Sequence, residues 1–558
     1  MKMLLFRCCP LLLLALTLSA RQSPLLMPDP DNGGISLPPG FRALVVADNL
    51  VAGKKVNNAA ERLRGLVVAP NGDIYAKGQS GNIFALRDAN GDGRAEIVKE
   101  FGPGDGGTHI ALHDGWLYHS SRTAVYRVKY APGELVPAGE MQAVVVKLPA
   151  ERDHAQKAFA FDEQGRMLVE VGAPYNVYSK PDRQLGAKGM DPTEFQQTFG
   201  GFWRFDANKL NQTQGDGVRF STGHRHALAL AWNTVSKQFF MVQMGRDNLN
   251  VVDPVNYDAL DNAERVAEVM HVIREGSNFG WPSTYWDPIK KVRMLAPEFG
   301  GDNRKRVEPD PYDPPLVAFP GHWAPLQMAF YTATQFPEKY RGGAFVTFHG
   351  SWNRAPRPQG GYQVAFVPFD AKGMPTGNYE TFADGFTGRT EFVSTGDARY
   401  RPAGVAVGPD GSLYITETEK GRIWRVIYTG DTSQTQAAAP APVPGSTGAV
   451  VSDGSRGAQL YQQICAACHM PDGKGVAGMQ APLVGSAVVS GDPAMLIRVL
   501  LQGPAQVLPA NRTKYQVQMP PFAGAFSDID LADTLTFVRK AFGNGASAIT
   551  PAQVKAQR

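Results

Sequence analysis

Between about Arg64 and Ile427 the chain keeps returning to one unit, an apolar strand, a tight turn and a second apolar strand. Gly65-Leu-Val-Val-Ala-Pro-Asn-Gly-Asp-Ile-Tyr75 and Gly404-Val-Ala-Val-Gly-Pro-Asp-Gly-Ser-Leu-Tyr-Ile415 are near copies, and Phe159 to Val169 and Ala111 to Tyr118 are looser ones. Asn71-Gly72 and Asp410-Gly411 supply residues that tolerate positive φ, as a tight hairpin needs. Partner strands follow at Ile83 to Leu86, Val125 to Val128, Phe202 to Phe205 and Ile423 to Val426, and further repeats centre on Ala229 to Asn233 and Met328 to Tyr331. About six small antiparallel units, unevenly spaced by long loops, predict an all-β propeller, whose blades bury their faces against one another around an axis. A β-sandwich would give no reason for the recurring Pro-(Asn/Asp)-Gly hairpin.

The rest of the chain divides by composition. Residues 1–20 join Lys2 and Arg7 to an apolar run and end in Ser19-Ala20, the pattern of a secretory signal peptide. The propeller is expected over 36–430. Residues 431–452 are Thr, Ser, Gln, Ala and Pro and read as a semi-extended linker. An all-α domain is expected over 453–545, with helical periodicity at Pro493 to Leu501 and from Asp528 to Phe542, and Ser527 as an N-cap. The four cysteines are Cys8 and Cys9, inside the leader, and Cys465 and Cys468, so the mature chain has none to spare for structural disulfides. A formal net charge of +4 is too close to neutral to argue for nucleic acid or an anionic membrane surface.

Cys465-Ala-Ala-Cys468-His469 is the attachment signature of a c-type haem: two thiols for thioether bonds, and a histidine on the same turn for the iron. Zinc would require further cysteines, and a thioredoxin-like pair would sit in a βαβ pattern. Gln518-Met519-Pro520-Pro521 offers the sixth ligand in a Pro-stiffened loop, and Met519 opposite His469 would raise the haem potential. Met470 and Met479 lie too near the signature, and Met495 belongs to an apolar helical stripe. The segment from about Gly454 to Gly543 resembles class I bacterial cytochrome c domains.

Asn278-Phe-Gly-Trp-Pro282, Phe330 to Pro337, Tyr340-Arg-Gly-Gly-Ala344 and above all His349-Gly-Ser-Trp-Asn-Arg354 resemble the pyrroloquinoline quinone (PQQ)-dependent sorbosone and aldose (pyranose) dehydrogenases. The resemblance covers most of 36–428 and is strongest from Ser221 onward. It implies a six-bladed propeller with PQQ and calcium at one end of the channel. It also implies that Arg399 and Arg401 hold the cofactor's carboxylates, with Arg64 and Arg354 as further candidates, and that Arg225 faces the quinone oxygen. His154 takes the place of the catalytic base, ahead of His109, His113, His224 and His226. The resemblance implies that some calcium ligands are backbone carbonyls of the loop Gly245-Arg246-Asp247-Asn-Leu249, at Arg246 and Asp247. Asp88-Ala-Asn90-Gly-Asp92-Gly separately has the oxygen spacing of a structural calcium loop, although Lys99 stands where a twelfth-position glutamate would close it. His226 departs from the asparagine usual beside the quinone-facing arginine.

The expectation is a periplasmic or secreted quinohaemoprotein without a membrane-spanning segment. It would oxidise a sugar or related polyol or aldehyde at PQQ and pass electrons through its own haem c to a soluble cytochrome, a cupredoxin or a quinone-linked chain. The competing readings are a propeller that binds a glycan or partner without quinone, and a dehydrogenase of non-sugar alcohols.

Overall fold

A computed structural model describes residues 26–56, 58–392, 394–430, 453–476, 480–509, 515, 519, 521–523 and 526–558. The signal-peptide and linker readings, together with Met479, Gln518 and Pro520, lie outside them. No helix among the described residues is long and apolar enough to cross a membrane.

Six sheets form the blades of a propeller, antiparallel except for the short strand Ser277–Asn278, which pairs parallel at the edge of the third. In chain order the first strands of the blades are Leu63–Val68, Ile110–His113, Phe159–Phe161, Ala229–Asn233, Pro325–Phe330 and Pro402–Val407. They touch across blades 6 and 1, 1 and 2, 3 and 4, 4 and 5, and 5 and 6, so they line the axis. Blade 6 is closed by the far end of the chain: Phe41–Ala47 pairs antiparallel with Ile423–Tyr428, in the register Phe41↔Tyr428 and Val45↔Trp424. Joining the two ends within one sheet leaves no blade unpaired around the ring, which removes the open edges of a linear array.

The hairpin reading holds with one refinement. Gly72 and Gly411 take φ of 90° and 87°, whereas Asn71 and Asp410 do not enter the left-handed region. Their side chains instead accept the N–H two residues on, from Asp73 at 3.2 Å and Ser412 at 3.1 Å. These are Asx turns with a following glycine, rather than turns with two positive-φ residues.

Alternation along the second strands buries side chains on both faces: Ile74–Gly78, Ala344–Phe348 and Leu413–Glu417 are buried throughout. The resulting cores lie between blades, with Phe41, Tyr331, Phe336, Phe345, Phe382 and Trp424 filling the space between blades 5 and 6. The channel is stitched by polar groups. Gln327 of blade 5 accepts from Leu66 N at 3.3 Å and Val405 N at 3.2 Å and donates to Leu66 O at 3.2 Å, binding blades 1, 5 and 6 together.

The C-terminal unit is helical. Arg456–Leu460 crosses Asp528–Lys540 so closely that a Cβ at Gly457 would lie 2.1 Å from Asp533 O, which only glycine permits. Pro493–Gln502 packs beside them, burying Leu496, Ile497 and Leu501 against Tyr461, Leu531 and Leu535. Ser527 caps the last long helix by accepting from Asp530 N at 3.1 Å. This unit rests on the propeller: Asn250 donates to Gln463 O at 2.7 Å, Lys474 lies 3.6 Å from Asp397, and Ala355 is part of the helical unit's core.

Candidate functional site

Each blade's first strand starts, and its second strand ends, at the same rim. This rim carries His109, His154, Arg225, His322 and Arg401 just before first strands, Arg64 at the second position of one, and Glu170, Asp247, His349 and Thr418 at or just after the ends of second strands. The propeller therefore gathers residues scattered over the chain at one mouth. The mouth is also where non-glycine backbone is forced to positive φ, at His154 (53°), Asn248 (64°), His322 (67°) and Ala324 (55°). Such conformations cost on the order of 1–3 kcal/mol each and persist where the surroundings impose them.

One side of the mouth is cationic. Arg64 is held by Gln79 at 2.7 and 3.1 Å, and its Nη1 lies 3.4 Å from His349 Nε2 and 3.5 Å from Thr418. Burial, then the neighbouring charges of Arg62 and Arg401, push its pKa down to about 9. Arg401 donates to the carbonyls of His349 and Gly350 at 3.2 Å each, with Glu419 3.8 Å away. His349 is kept neutral by burial and by Arg401 and Arg64. A cation this desolvated, with neutral groups as its hydrogen-bond partners, is suited to an anionic ligand.

The other side is built on Asp247. Its carboxylate accepts from Arg225 at 2.7 Å and Asn353 at 2.6 Å and lies 3.2 Å from His322 Nδ1. Burial opposes its charge, but Arg225 and His322 outweigh that and hold the carboxyl far below the usual range. Arg225 also donates to Gly245 O at 2.7 Å and Asn176 O at 3.2 Å. His154 Nδ1 is 2.5 Å from Ala173 O, so that nitrogen carries the hydrogen and Nε2 keeps its lone pair. Burial, then the charges of Arg225 and His226, hold this imidazole neutral, with a pKa well below 6.5.

The sequence-derived residues thus fall into groups. Arg64 and Arg401 lie within reach of His349, and Arg225, His154 and Asp247 form the opposite wall. Arg399 points elsewhere: its guanidinium lies over Tyr400 and against Gly34, away from Arg401's partners. Arg354 is occupied by the carbonyls of Ala263 at 3.0 Å and Gly321 at 2.9 Å, tying loops of blades 4 and 5. Arg246 forms a buried pair with Glu298. At the Asp88 loop, carboxylate oxygens of Asp88, Asp92 and Glu96 come within 4.8 Å of one another, while Asn90 donates to Glu96 at 2.8 Å. Glu96, at the ninth position, was missed by looking for a twelfth. Sequence reasoning also missed Glu170, Asn176, Asn353 and Arg183; only Asn353, within the His349–Arg354 stretch, carried a signal.

In the helical unit the haem signature opens onto a cavity of about 680 Å³, lined by Cys465, Cys468, His469 and Met519 and otherwise largely by aliphatic and aromatic side chains. His469 Nδ1 lies 2.7 Å from Ala481 O, which fixes the tautomer that leaves Nε2 for a metal. Burial pushes the Cys465 and Cys468 thiols up to about 12 and 11. Size, apolar lining and donor set fit a haem. Three residues of the cavity wall, Arg183, Asn248 and Val251, belong to the propeller. Asn248 adjoins Asp247, and Arg183 pairs with Asp153, next to His154, at 2.8 Å.

Comparison with known proteins gives a matching picture. The TrAA12-like family model matches residues 44–429, and the model for cytochrome c oxidase, cbb3-type, subunit III matches 452–538. The cytochrome c subunit of a quinone alcohol dehydrogenase from Gluconobacter oxydans is 43% identical over 17% of this chain and 20% of its own. A pyrroloquinoline quinone-dependent pyranose dehydrogenase of Coprinopsis cinerea is 33% identical over 20% of this chain and 16% of its own. The chain thus spans no more than a fifth of the length of either. The solved Trichoderma reesei enzyme of carbohydrate-active family AA12 superposes with a TM-score of 0.56 at 17% identity, over 71% of this chain and 98% of that one, and so shares the fold. The chain belongs to the TrAA12-like family, with a cytochrome c domain on the C-terminal side of its propeller.

Proposed function

We propose that the protein is a periplasmic or secreted quinohaemoprotein dehydrogenase. It oxidises a sugar or a related polyol or aldehyde with PQQ and delivers the electrons through its own haem c to an external acceptor. The observation that carries this reading is the shared wall. Arg183 and Asn248 border the haem cavity, while the residues beside or paired with them, Asp247 and Asp153, belong to the channel mouth. A quinone-type relative for the cytochrome domain and a PQQ-dependent pyranose dehydrogenase among the relatives point the same way.

The donor set fits an anionic cofactor. Arg64 and Arg401 would hold its carboxylates, and Arg225 would stabilise negative charge arising on a quinone oxygen. PQQ, when bound, supplies an ortho-quinone that accepts an electron pair and a proton from an alcohol. The protein's own part is positional and protonic. His154 offers a neutral Nε2 to the substrate hydroxyl, held in orientation by Ala173 O. Asp247 fixes the guanidinium of Arg225. Cys465 and Cys468 would anchor the haem, and His469 and Met519 would ligate its iron.

Calcium fits the Gly245–Leu249 loop poorly as it stands, because the carbonyls of Gly245 and Asp247 already accept from Arg225, Asn176 and Arg246, and Asp247's carboxylate accepts from Arg225 and Asn353. The Asp88, Asn90 and Asp92 loop, with Glu96, is the better oxygen donor set for a structural ion.

The test is a panel of pyranoses, polyols, aldehydes and simple alcohols given to the haem-loaded protein with and without PQQ. Quinone-dependent appearance of the reduced haem band with sugars is expected. A protein that takes up no quinone and reduces no haem would exclude the reading.

A further inference from the structure

The inference here rests on the dehydrogenase reading above. Oxidising an alcohol breaks a C–H bond, whose electron pair goes to the quinone, and an O–H bond, whose proton needs a base. His154 can receive that proton but is poorly placed to keep it. Its Nδ1–H is tied to a neutral carbonyl, and the Arg225 guanidinium stands nearby.

The imidazole next to it is built differently. The rings of His154 and His226 have their centroids 4.8 Å apart, with planes inclined by 34°. His226 Nδ1 lies 3.0 Å from Glu170 Oε1, which also accepts the Ala227 N–H at 3.2 Å. A hydrogen on Nδ1 leaves the lone pair on Nε2. Glu170 is fully buried, and burial opposes its charge, yet His226 and His224 hold its carboxyl down to about 2. A Cβ at Gly172 would fall 2.8 Å from Glu170 Oε1, 2.9 Å from His226 Nδ1 and 2.7 Å from His154 O, so bare backbone lets the three groups close up.

The charged and titratable groups facing this pair are Glu170, His224, His109, Lys157, Arg225 and Arg183. Arg225 and Arg183 are each paired with a carboxylate, Asp247 at 2.7 Å and Asp153 at 2.8 Å, so Glu170 is the anion in direct contact with His226. Lys157 is buried beside Ala155 O at 2.6 Å, and burial lowers its pKa to about 8 despite Glu170. His109 and His224 are disfavoured as cations by burial. A proton arriving here is best compensated on the imidazole in direct contact with the carboxylate.

We propose that His226 is a second catalytic base of this site. His226 Nε2 takes the proton released from the substrate hydroxyl and carries it, with the His154 ring beside it rather than hydrogen-bonded to it. The Glu170 carboxylate, a positioning residue, fixes the tautomer and compensates the new charge. The O–H bond breaks and an N–H bond forms, while the C–H electron pair leaves with the hydride to the quinone.

The test follows pre-steady-state haem reduction by a pyranose in the full-length, haem- and PQQ-loaded protein between about pH 5 and about pH 9. Glu170→Gln and His226→Asn are compared with the wild type. Glu170→Gln removes the charge that stabilises imidazolium, so the low-pH limb moves to lower pH, and the plateau rate falls about a hundredfold. His226→Asn keeps a donor for Glu170 but cannot take a proton, so it loses a similar factor and the limb itself. Wild-type profiles in both variants would overturn the proposal. Should Glu170→Gln fail to fold, His226→Asn carries the kinetic arm. A second arm needs no turnover: isotope-edited histidine NMR of the quinone-free protein. His226 is expected as the Nδ1–H tautomer, with a strongly deshielded proton that Glu170→Gln abolishes. An Nε2–H tautomer overturns the assignment. A wild type that reduces no haem with any sugar would instead remove the dehydrogenase reading, and this assignment with it.

Discussion

Arg183 Nη1 lies 2.8 Å from Asp153 Oδ2 in an ion pair, and the two belong to different sites: Arg183 lines the haem cavity, and Asp153 precedes His154 at the channel mouth. The side chains are only 12% and 15% exposed, so the pair is fixed rather than a solvated surface contact. Arg183→Gln is expected to slow haem reduction in a single turnover about tenfold, the equivalent of ~1.4 kcal/mol of lost coupling. Reduction of a small artificial acceptor by the same variant should change far less. Equal losses in the two stopped-flow assays would show that Arg183 serves the oxidation site and not the connection.

Arg64 gives a prediction of two opposite signs. In the quinone-free protein it is a half-buried guanidinium crowded by Arg62 and Arg401. Arg64→Gln should therefore leave the quinone-free protein as stable or more stable, by up to ~1 kcal/mol. The same change removes a charge-assisted partner for a carboxylate, so PQQ affinity should fall about tenfold to a hundredfold. Calorimetric unfolding and a titration with PQQ read the two effects separately. Destabilisation together with unchanged affinity would assign Arg64 to structure.

What the sequence made legible is local. The Gly65–Tyr75 and Gly404–Ile415 hairpins are the first hairpins of blades 1 and 6, because glycine turns and apolar alternation act within a dozen residues. The haem signature and the Ser527 cap are equally short-range. The closure of blade 6 pairs Phe41 with Tyr428, a contact no local pattern announces. Arg399 and Arg401 read as a pair because one residue separates them, yet the loop before blade 6 sends Arg401 to His349 O and Arg399 over Tyr400 toward Gly34. Glu170 was hidden in the strand Arg166–Val171, whose second half is otherwise apolar, and only the arrival of blade 4's His226 gives it a role. Arg183 carries no motif at all; its meaning comes from the docking of the helical unit.

Met519 shares the haem cavity with Cys465, Cys468 and His469. Met519→Ala should open one axial position, lower the haem potential and let added imidazole bind the ferric iron without competition. Spectroelectrochemistry and an imidazole titration check both. A potential and imidazole affinity equal to the wild type would place the sixth ligand elsewhere.

Lys77 allows the pH dependence of stability to be worked out with its sign. Its amine is fully buried in blade 1, donating to Gly81 O at 2.7 Å and Asp105 O at 3.3 Å. Burial lowers its pKa to about 8, against the pull of Asp105 and Glu61. In the unfolded chain a lysine titrates near 10.4, so between these values the unfolded state holds more protons and stability rises with pH. The stability linked to this group is complete above the unfolded pKa and is lost as pH falls through the folded one. A gap of about 2.4 units at ~1.4 kcal/mol each sets the loss at about 3 kcal/mol between roughly pH 10.5 and pH 7. Lys77→Met removes the titration while keeping much of the volume. Its stability relative to the wild type should therefore improve by about 3 kcal/mol over that descent, whatever constant offset the lost hydrogen bonds impose. Urea unfolding of both proteins at about pH 7 and pH 10.5 measures the change. A difference that stays constant with pH would mean that the Lys77 amine keeps the same proton in the folded and unfolded chains.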